Sequence, residues 1–572
     1  MLAGNIRYKV SPKLLIACSR TATVPSAHDA NGTSAASLAG RLDVSAGNKR
    51  FGAGEHGMNG FCWAAGPRYP SRRLAHACCL ILLALCAALQ PGAIAQAGLP
   101  TPSDPIVRDL AQFDAKRPVA QELQTNVPDG FTVAAVGDLI ISRPVSQYAQ
   151  TLPGFGAVLT RFRQASVVYG NLETTIFDVR HFSGAPYSWD GDWTNAALPS
   201  VARDLGTMGF GVVARANNHA LDWGIDGMRE TSRWLEEAGI VHAGVGETRG
   251  LARAPQYLET PHGRVALVSL ASTFRPTTDA LPPQGATPGR SGVNALHLTT
   301  VAELPPAAMK TLAALNCELY QRTCSELPDR IDIFAGTYRL GDRFSYEHTM
   351  DPEDLAEIYR AIRAARQNAD FVIVSIHTHE CSVGCDDDAV ALAPGHFLRE
   401  LAHGAIDAGA DVFVANGNHN LGPAEIYAAP GRGPRPIFYG LGNFIWSDVQ
   451  ELLPHDLFQA NRELLAKAWV QPENATEYDL SAPLNAGPFS HAFTFQSVVA
   501  ECRFTGNQLE RIELRPVELG YGSRLTASGI PRLVTDAKEG AAIIGQIVDQ
   551  TARYGLPQLK ITYSNGVAVI RP

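Results

Sequence analysis

The sequence predicts an α/β fold preceded by a removable leader. Three observations predict it. Short apolar runs alternate with amphipathic stretches from residue 131 to about 446. Polar residues recur directly after those runs. An arginine-flanked apolar segment near the start ends in small residues. The first pattern is that of an α/β domain, the second that of a ligand-binding sheet edge, and the third that of a secretory signal.

The leader comes first. Arg68, Arg72 and Arg73 precede the apolar run Ala77–Leu89, and Pro91 is followed by Ala93-Ile94-Ala95-Gln96-Ala97. The run falls short of the roughly 20 apolar residues of a membrane span. Residues 1–97 are therefore expected to be an N-terminal extension plus signal peptide, cut near Ala95 or Ala97, with Met58 a sensible start. The alternative is an uncleaved anchor helix. Cleavage would place the protein in the periplasm or outside the cell, touching membrane only through the leader before it is cut. Residues 98–126 are polar and Pro-containing, and read as a linker.

Length and composition leave room for a large core: 572 residues, 45% hydrophobic and 18% charged. The formal net charge is −8. Residues 1–97 hold ten Lys/Arg and three Asp/Glu, so the remainder carries 38 basic and 53 acidic side chains, a balance of −15. That charge lacks the basic footprint of a nucleic-acid binder.

The strands follow in order. Phe131–Gly137 ends at Asp138, and Ser166–Gly170 runs into Asn171-Leu172-Glu173. Gly211–Arg215 leads to Asn217-Asn218-His219. Arg264–Leu270 is followed by Phe371–Ile376, which ends at His377, and by Val412–Ala415, which leads to Asn416 and His419. Pro436–Gly440 precedes Leu441-Gly442-Asn443. Between them, Ile225, Met228, Trp234 and Leu235 share one helical stripe, as do Leu355, Ile358 and Ile362, and Phe397, Leu401 and Ile406. Asp351-Pro352-Glu353-Asp354 is a helix start with proline at the first helical position. Residues 274–350, rich in Pro and Gly at first, read as a long irregular insertion in the 127–450 domain. The segment 451–572 is expected to pack on the same domain, with strands at Phe493–Phe504, Leu509–Leu519 and Lys560–Ile570 and a helix near Asp536–Tyr554.

Five cysteines lie beyond residue 98. Cys317/Cys324 and Cys381/Cys385 are close pairs that export would permit to oxidise. Cys502 is left over, most simply as a buried thiol.

Asp138, Glu173, Asn218, His219, His377 and His419 each follow an apolar run. In an α/β fold such positions converge at the carboxyl edge of the sheet. Carboxylate, amide and imidazole groups together suit divalent metals, and a metal pair can activate water and clamp a phosphoryl or acyl oxygen.

Longer motifs add a family. Ala216-Asn217-Asn218-His219-Ala220-Leu221-Asp222-Trp223-Gly224 resembles the NNHxxDxG signature of the CapA-type, poly-γ-glutamate capsule synthesis family. Asn171-Leu172-Glu173 is similar to its NLE, and Val374-Ser375-Ile376-His377 to its VSxH. Asp407-Ala408-Gly409-Ala410-Asp411 and Ile437–Phe444 match two further elements. This resemblance implies the four-layer α/β/β/α sandwich of the metallophosphoesterases, with added C-terminal strands. It implies metal ligands at Asp138, Glu173, Asn218, His377, His419 and Asn416, with His219 as general acid. Asn171, Asn217, Asp222, Glu425 and Asn443 are implied to contact substrate. The cofactors would be divalent ions (Mn, Mg, Zn or Fe), two in the fullest case. One departure stands out. Asn416 occupies the place of a family histidine, counted back from Glu425-Ile426-Tyr427, and an amide is the weaker ligand for zinc-like ions. His379 offers a substitute. The implied function is a metal-dependent hydrolase or phosphoesterase-like factor of capsule or envelope-polymer synthesis, acting on an anionic polypeptide or envelope polymer beside export or synthesis subunits. The alternative is a non-catalytic polymer-binding or export-complex subunit with a partly degraded site.

Overall fold

The computed structural model describes residues 124–187, 193–323, 326–383, 393–447, 452–480 and 491–572. The expected leader, nearly all of the linker, Cys324, Cys385 and residues 386–388 lie outside them. Among the described residues, no helix is long and apolar enough to cross a membrane.

The architecture is mixed α/β, as expected. The chain opens with β1 (Phe131–Ile140), α1 (Pro153–Gln164), β2 (Val167–Leu172), α2 (Ser200–Met208), β3 (Val212–Ala214), α3 (Gly224–Glu237) and β4 (Val241–Ala243). It crosses to β5 (Gln256–Thr260) and β6 (Gly263–Ala271). The insertion follows, with β7 (Leu298–Leu304), α4 (Pro306–Leu319), β8 (Arg330–Ile333), β9 (Gly336–Leu340) and β10 (Ser345–Met350). Next come α5 (Pro352–Asn368), β11 (Phe371–His377), α6 (His396–Ala408), β12 (Val412–Asn416), β13 (Ala424–Ala429), β14 (Gly433–Phe438) and β15 (Asn443–Trp446). The chain closes with β16 (Gln496–Thr505), β17 (Gln508–Glu518), α7 (Ala537–Arg553), β18 (Ile561–Ser564) and β19 (Val567–Ile570).

Two large sheets result. One runs β18-β19-β17-β16-β1-β2-β3-β4, with β15 beside the end of β1; the other runs β13-β14-β12-β11-β6-β5. Strands β1 to β4 are mutually parallel, as are β6, β11, β12 and β14. Parallel strands are buried on both faces and read as near-continuous apolar runs. That is why VVY, RVALVSL and FVIVSI stood out in the sequence.

Alternate residues sort into different cores, as a period of two requires. Val133, Ala135, Tyr169, Val212 and Val265, Leu267, Phe371, Ile373, Val412, Val414 share one cluster, which joins the two sheets. Ala134, Val136, Val168 and Val213 face instead Phe155, Val158 and Phe162 of α1 and Leu205 of α2. Ala266, Val268, Val372, Val374 and Phe413 face Ile358 and Ile362 of α5 and Leu401 and Ala405 of α6.

Three expectations change. The insertion is not irregular throughout: β7 to β10 form a sheet of their own, and Met309 and Ala313 of α4 cluster with Ile331 and Ile333 of β8. On α3, Ile225 is exposed, and Met228, Thr231 and Leu235 make the buried face. The last predicted strand is a hairpin, because Asn565 and Gly566 both take positive φ between β18 and β19. Among the described cysteines, Cys317 and Cys381 are disulfide-bonded, whereas Cys502 is free and buried.

Candidate functional site

Strand ends place the polar residues. Asp138 sits near the end of β1, where pairing with β2 slips between Ala135 and Asp138. Such irregularities re-aim a side chain. Gly137 allows it: a Cβ there would lie 1.8 Å from the Gly442 carbonyl oxygen. The Asp138 amide donates to that carbonyl (3.1 Å), which draws β15 and Asn443 alongside. Glu173 follows β2 directly, and His377 ends β11. Asn217, Asn218 and His219 follow β3. His419 lies just past β12, held at φ 56°. A non-glycine residue in the left-handed region costs of order 1–3 kcal/mol, and such residues cluster at functional sites.

One hydrogen-bond network joins these residues. The Asn171 amide donates to Asp138 (2.8 Å) and Glu173 (3.2 Å), and lies 3.2 Å from Nδ1 of His377. Glu173 Oε1 is 2.8 Å from that same Nδ1. His419 Nδ1 is 3.4 Å from Asp138 and 2.9 Å from the Asn443 Oδ1. The Asn217 amide donates to the Leu172 carbonyl (2.8 Å), and its oxygen accepts from the His219 main-chain N–H (3.1 Å). His219 Nδ1 meets buried Asp222 at 2.8 Å, and Asp222 in turn pairs with Arg275 at 3.1 Å. His377 Nε2 lies 3.0 Å from Nε2 of His379.

The donor set fits a metal ion. Ligand atoms of Asp138, Glu173 and His419 all lie within 4.8 Å of one another. Glu173 Oε2 and Asn218 Oδ1 are buried without a hydrogen-bond partner. Buried polar atoms are ordinarily paired, so such orphans mark an ion or water position. Oxygen and imidazole donors together suit divalent cations.

Charge couples the same residues. Burial works against the charged form of Glu173, but His377 outweighs it and holds the carboxyl well below the usual range. Burial likewise opposes a charge on His419, yet Asp138 and Glu173 raise its pKa to about 9. At His219 burial again opposes and Asp222 prevails, so its pKa is raised. His379 is held well below the ordinary histidine value by burial and by neighbouring His377 and His419.

Two candidates stand apart from the network. Asn416 ends β12, but its amide donates to the Tyr169 hydroxyl (2.8 Å) and Ser375 (3.1 Å) between the sheets, and its oxygen is buried without a partner. Glu425 bonds His403 (3.0 Å) and Tyr439 (3.0 Å) in a separate cluster. Asp222, expected to touch substrate, is fully buried against His219, Arg275 and the Asn195 amide.

The structure adds residues that sequence patterns passed over. Arg275, in the insertion, donates to the Asn218 carbonyl (3.1 Å). The Trp446 ring stacks 6.2 Å from that of His419. His379, which the sequence offered as a substitute for the histidine absent at Asn416, lies against His377.

Comparison with known proteins places the chain. The family model "Bacterial capsule synthesis protein PGA_cap" matches residues 132–448. "Uncharacterized protein y4sH" of Sinorhizobium fredii (strain NBRC 101917 / NGR234) is 38% identical over 471 residues, 81% of this chain and 98% of its own. "PGA biosynthesis protein CapA" of Bacillus subtilis (strain 168) is 25% identical over 57% of this chain and 66% of its own. A solved hypothetical protein from Thermus thermophilus superposes with a TM-score of 0.32 at 12% identity, over 68% of this chain and 99% of its own, too low to establish a shared fold. Because the family match spans more than half of the sequence and holds every residue of the network just described, this chain belongs to the bacterial capsule synthesis protein PGA_cap family.

Proposed function

We propose that the protein is an exported factor of capsule or envelope-polymer synthesis with a metal-dependent, phosphoesterase-like hydrolytic site. The observation that carries this reading is the convergence of Asp138, Glu173 and His419, whose ligand atoms lie within 4.8 Å of one another with Glu173 Oε2 buried and without a hydrogen-bond partner. A bound divalent ion would supply Lewis acidity and an activated water. Asp138, Glu173, Asn218, His377 and His419 would hold it. His219 stands beside them with Asp222 behind its Nδ1, so Asp222 fixes the tautomer and favours the protonated ring. That arrangement suits proton donation to a leaving oxygen. The substrate is an anionic polypeptide such as poly-γ-glutamate, or a phosphoester of the envelope. The two sheets with helices on their outer faces support a four-layer α/β/β/α sandwich of the metallophosphoesterase type. Export follows from the sequence of residues 1–97.

A second reading has one observation in its favour. An amide stands at Asn416 where the family has a histidine, and its nitrogen is committed to Tyr169 and Ser375, which suits a polymer-binding subunit with a partly lost site. Metal analysis of the purified chain, with a hydrolysis screen on phosphoesters and γ-glutamyl peptides, separates the two. Bound metal that raises the melting temperature, with turnover abolished by His219→Ala, supports the hydrolase. At 100 times its Kd a ligand stabilises by about 2.7 kcal/mol. No metal and no turnover would leave the binding subunit.

A further inference from the structure

No family motif position falls on His379, which the sequence offered only as a substitute for the histidine absent at Asn416, and its placement has a chemical consequence of its own. Its Nε2 lies 3.0 Å from Nε2 of His377, and its ring centroid is 4.9 Å from that of His377 and 5.5 Å from that of His419. Two nitrogens bound to one ion at about 2.0–2.1 Å stand about 2.9–3.4 Å apart for angles from a right angle to the tetrahedral value. The observed separation falls within that span.

The other nitrogen of His377 is already engaged. Glu173 Oε1 sits 2.8 Å from Nδ1, the carboxylate–histidine arrangement that orients a metal-ligating imidazole. This leaves Nε2 of His377 as the lone pair facing His379. Glu173 keeps Oε2 for the neighbouring cluster.

His379 is also held in place rather than left to wander. Its main-chain N–H donates to the Thr273 hydroxyl at 2.7 Å. The next residue, Glu380, accepts from Ser272 (2.6 Å), Thr273 (2.9 Å) and Thr378 (2.7 Å). The turn carrying the imidazole is thus tied to the end of β6. Gly417, at φ 103°, leaves room for the His377 ring: a Cβ there would lie 2.9 Å from Cε1 and 3.0 Å from Nε2.

The geometry points to a nitrogen metal position between His377 and His379, and so to His379 as the residue that turns the site from oxygen-rich toward zinc-like ions. Without it, the donors near the Asp138–Glu173–His419 group are mostly oxygens, which suit magnesium or manganese. With it, three imidazoles converge, a set that favours zinc and iron. This rests on the metal-site reading proposed above and extends it to metal choice.

The test uses the full mature chain, stripped with chelator and titrated calorimetrically with Zn²⁺ and with Mg²⁺, and spectroscopically with Co²⁺. The expected result is a clear preference of the wild type for Zn²⁺. His379→Gln should lower Zn²⁺ affinity by no less than the about 10–100-fold that losing a supporting partner costs. It should leave Mg²⁺ affinity nearly unchanged and alter the Co²⁺ absorption bands. His379→Asn, checked for folding by circular dichroism, guards against a misfolded first variant. If both variants bind Zn²⁺ as tightly as wild type with unchanged Co²⁺ bands, the role of His379 is refuted while the metal site stands. If the wild type binds none of the ions, the metal-site reading falls and this inference falls with it.

Discussion

His297 shows how a single side chain makes stability depend on pH. It lies 2.6 Å from Asp354 and 3.6 Å from Asp279. Those two carboxylates also pair with Arg253 and Arg290 respectively. The neighbouring carboxylates of Asp279 and Asp354 outweigh partial burial and raise the His297 pKa to about 9. A histidine with a raised folded-state value stabilises fully below its unfolded pKa of about 6.5, and that contribution fades as pH climbs through the folded value. The melting temperature of wild type should therefore fall more steeply between about pH 6.5 and 9 than that of His297→Gln. Parallel curves for the two proteins would rule out this linkage. The partners come from three separate segments, at 279, 297 and 354, so no local pattern in the sequence announced the pairing. The same is true of Gly417 under His377. By contrast, Asp138, Glu173, His219, His377 and His419 were legible, because each follows an apolar run and strand ends converge.

Among the elements, α5 is the one whose start was written most clearly. The Asp351 side chain accepts from the amides of Glu353 and Asp354, and Pro352 occupies the first helical position. Two of the orphan amides of the helix end are thereby satisfied. Asp351→Ala should cost about 0.5–2 kcal/mol, read as a lower urea midpoint at unchanged slope. An unchanged midpoint would show that tertiary packing alone sets the end of this helix. Helix α7 starts by the same device, with Asp536 accepting from the Glu539 amide. The hairpin β18–β19 carried the Asn-Gly signature of a tight turn, yet the surrounding apolar run read as one strand. The insertion hid its sheet for a different reason. Its strands β7 and β10 are mostly half-buried and lack a clean apolar alternation, so periodicity was faint there.

At the scale of the whole molecule, the C-terminal segment is part of the main sheet. β16 pairs antiparallel with β1 from Phe131↔Phe504 to Ala135↔Ala500. Val498, Ala500 and Cys502 are buried in the cluster between the sheets. A second tie is polar: fully buried Asp411 pairs with Arg366, Arg432 and Arg435, and Arg435 bonds the Asn507 carbonyl at 3.0 Å. Deleting residues 496–572 should accordingly leave insoluble or unfolded protein, since it bares an edge of β1 and opens the core. Limited proteolysis should release no stable C-terminal fragment. A soluble, cooperatively melting truncation would overturn this picture.

By itself the sequence determined the α/β class, the core strands, the family and which polar residues follow those strands. These follow from local signals: apolar runs of strand length, capping residues, and motifs whose members sit close together in the chain. Only the tertiary structure decided which side chains those strand ends aim at one another. It turned Asn416 toward Tyr169 and Ser375, set Glu425 with His403 and Tyr439, and brought His379 against His377. The reason is physical. A residue's position after a strand fixes the edge it occupies, but its direction depends on bulges, close glycine contacts and partners hundreds of residues away.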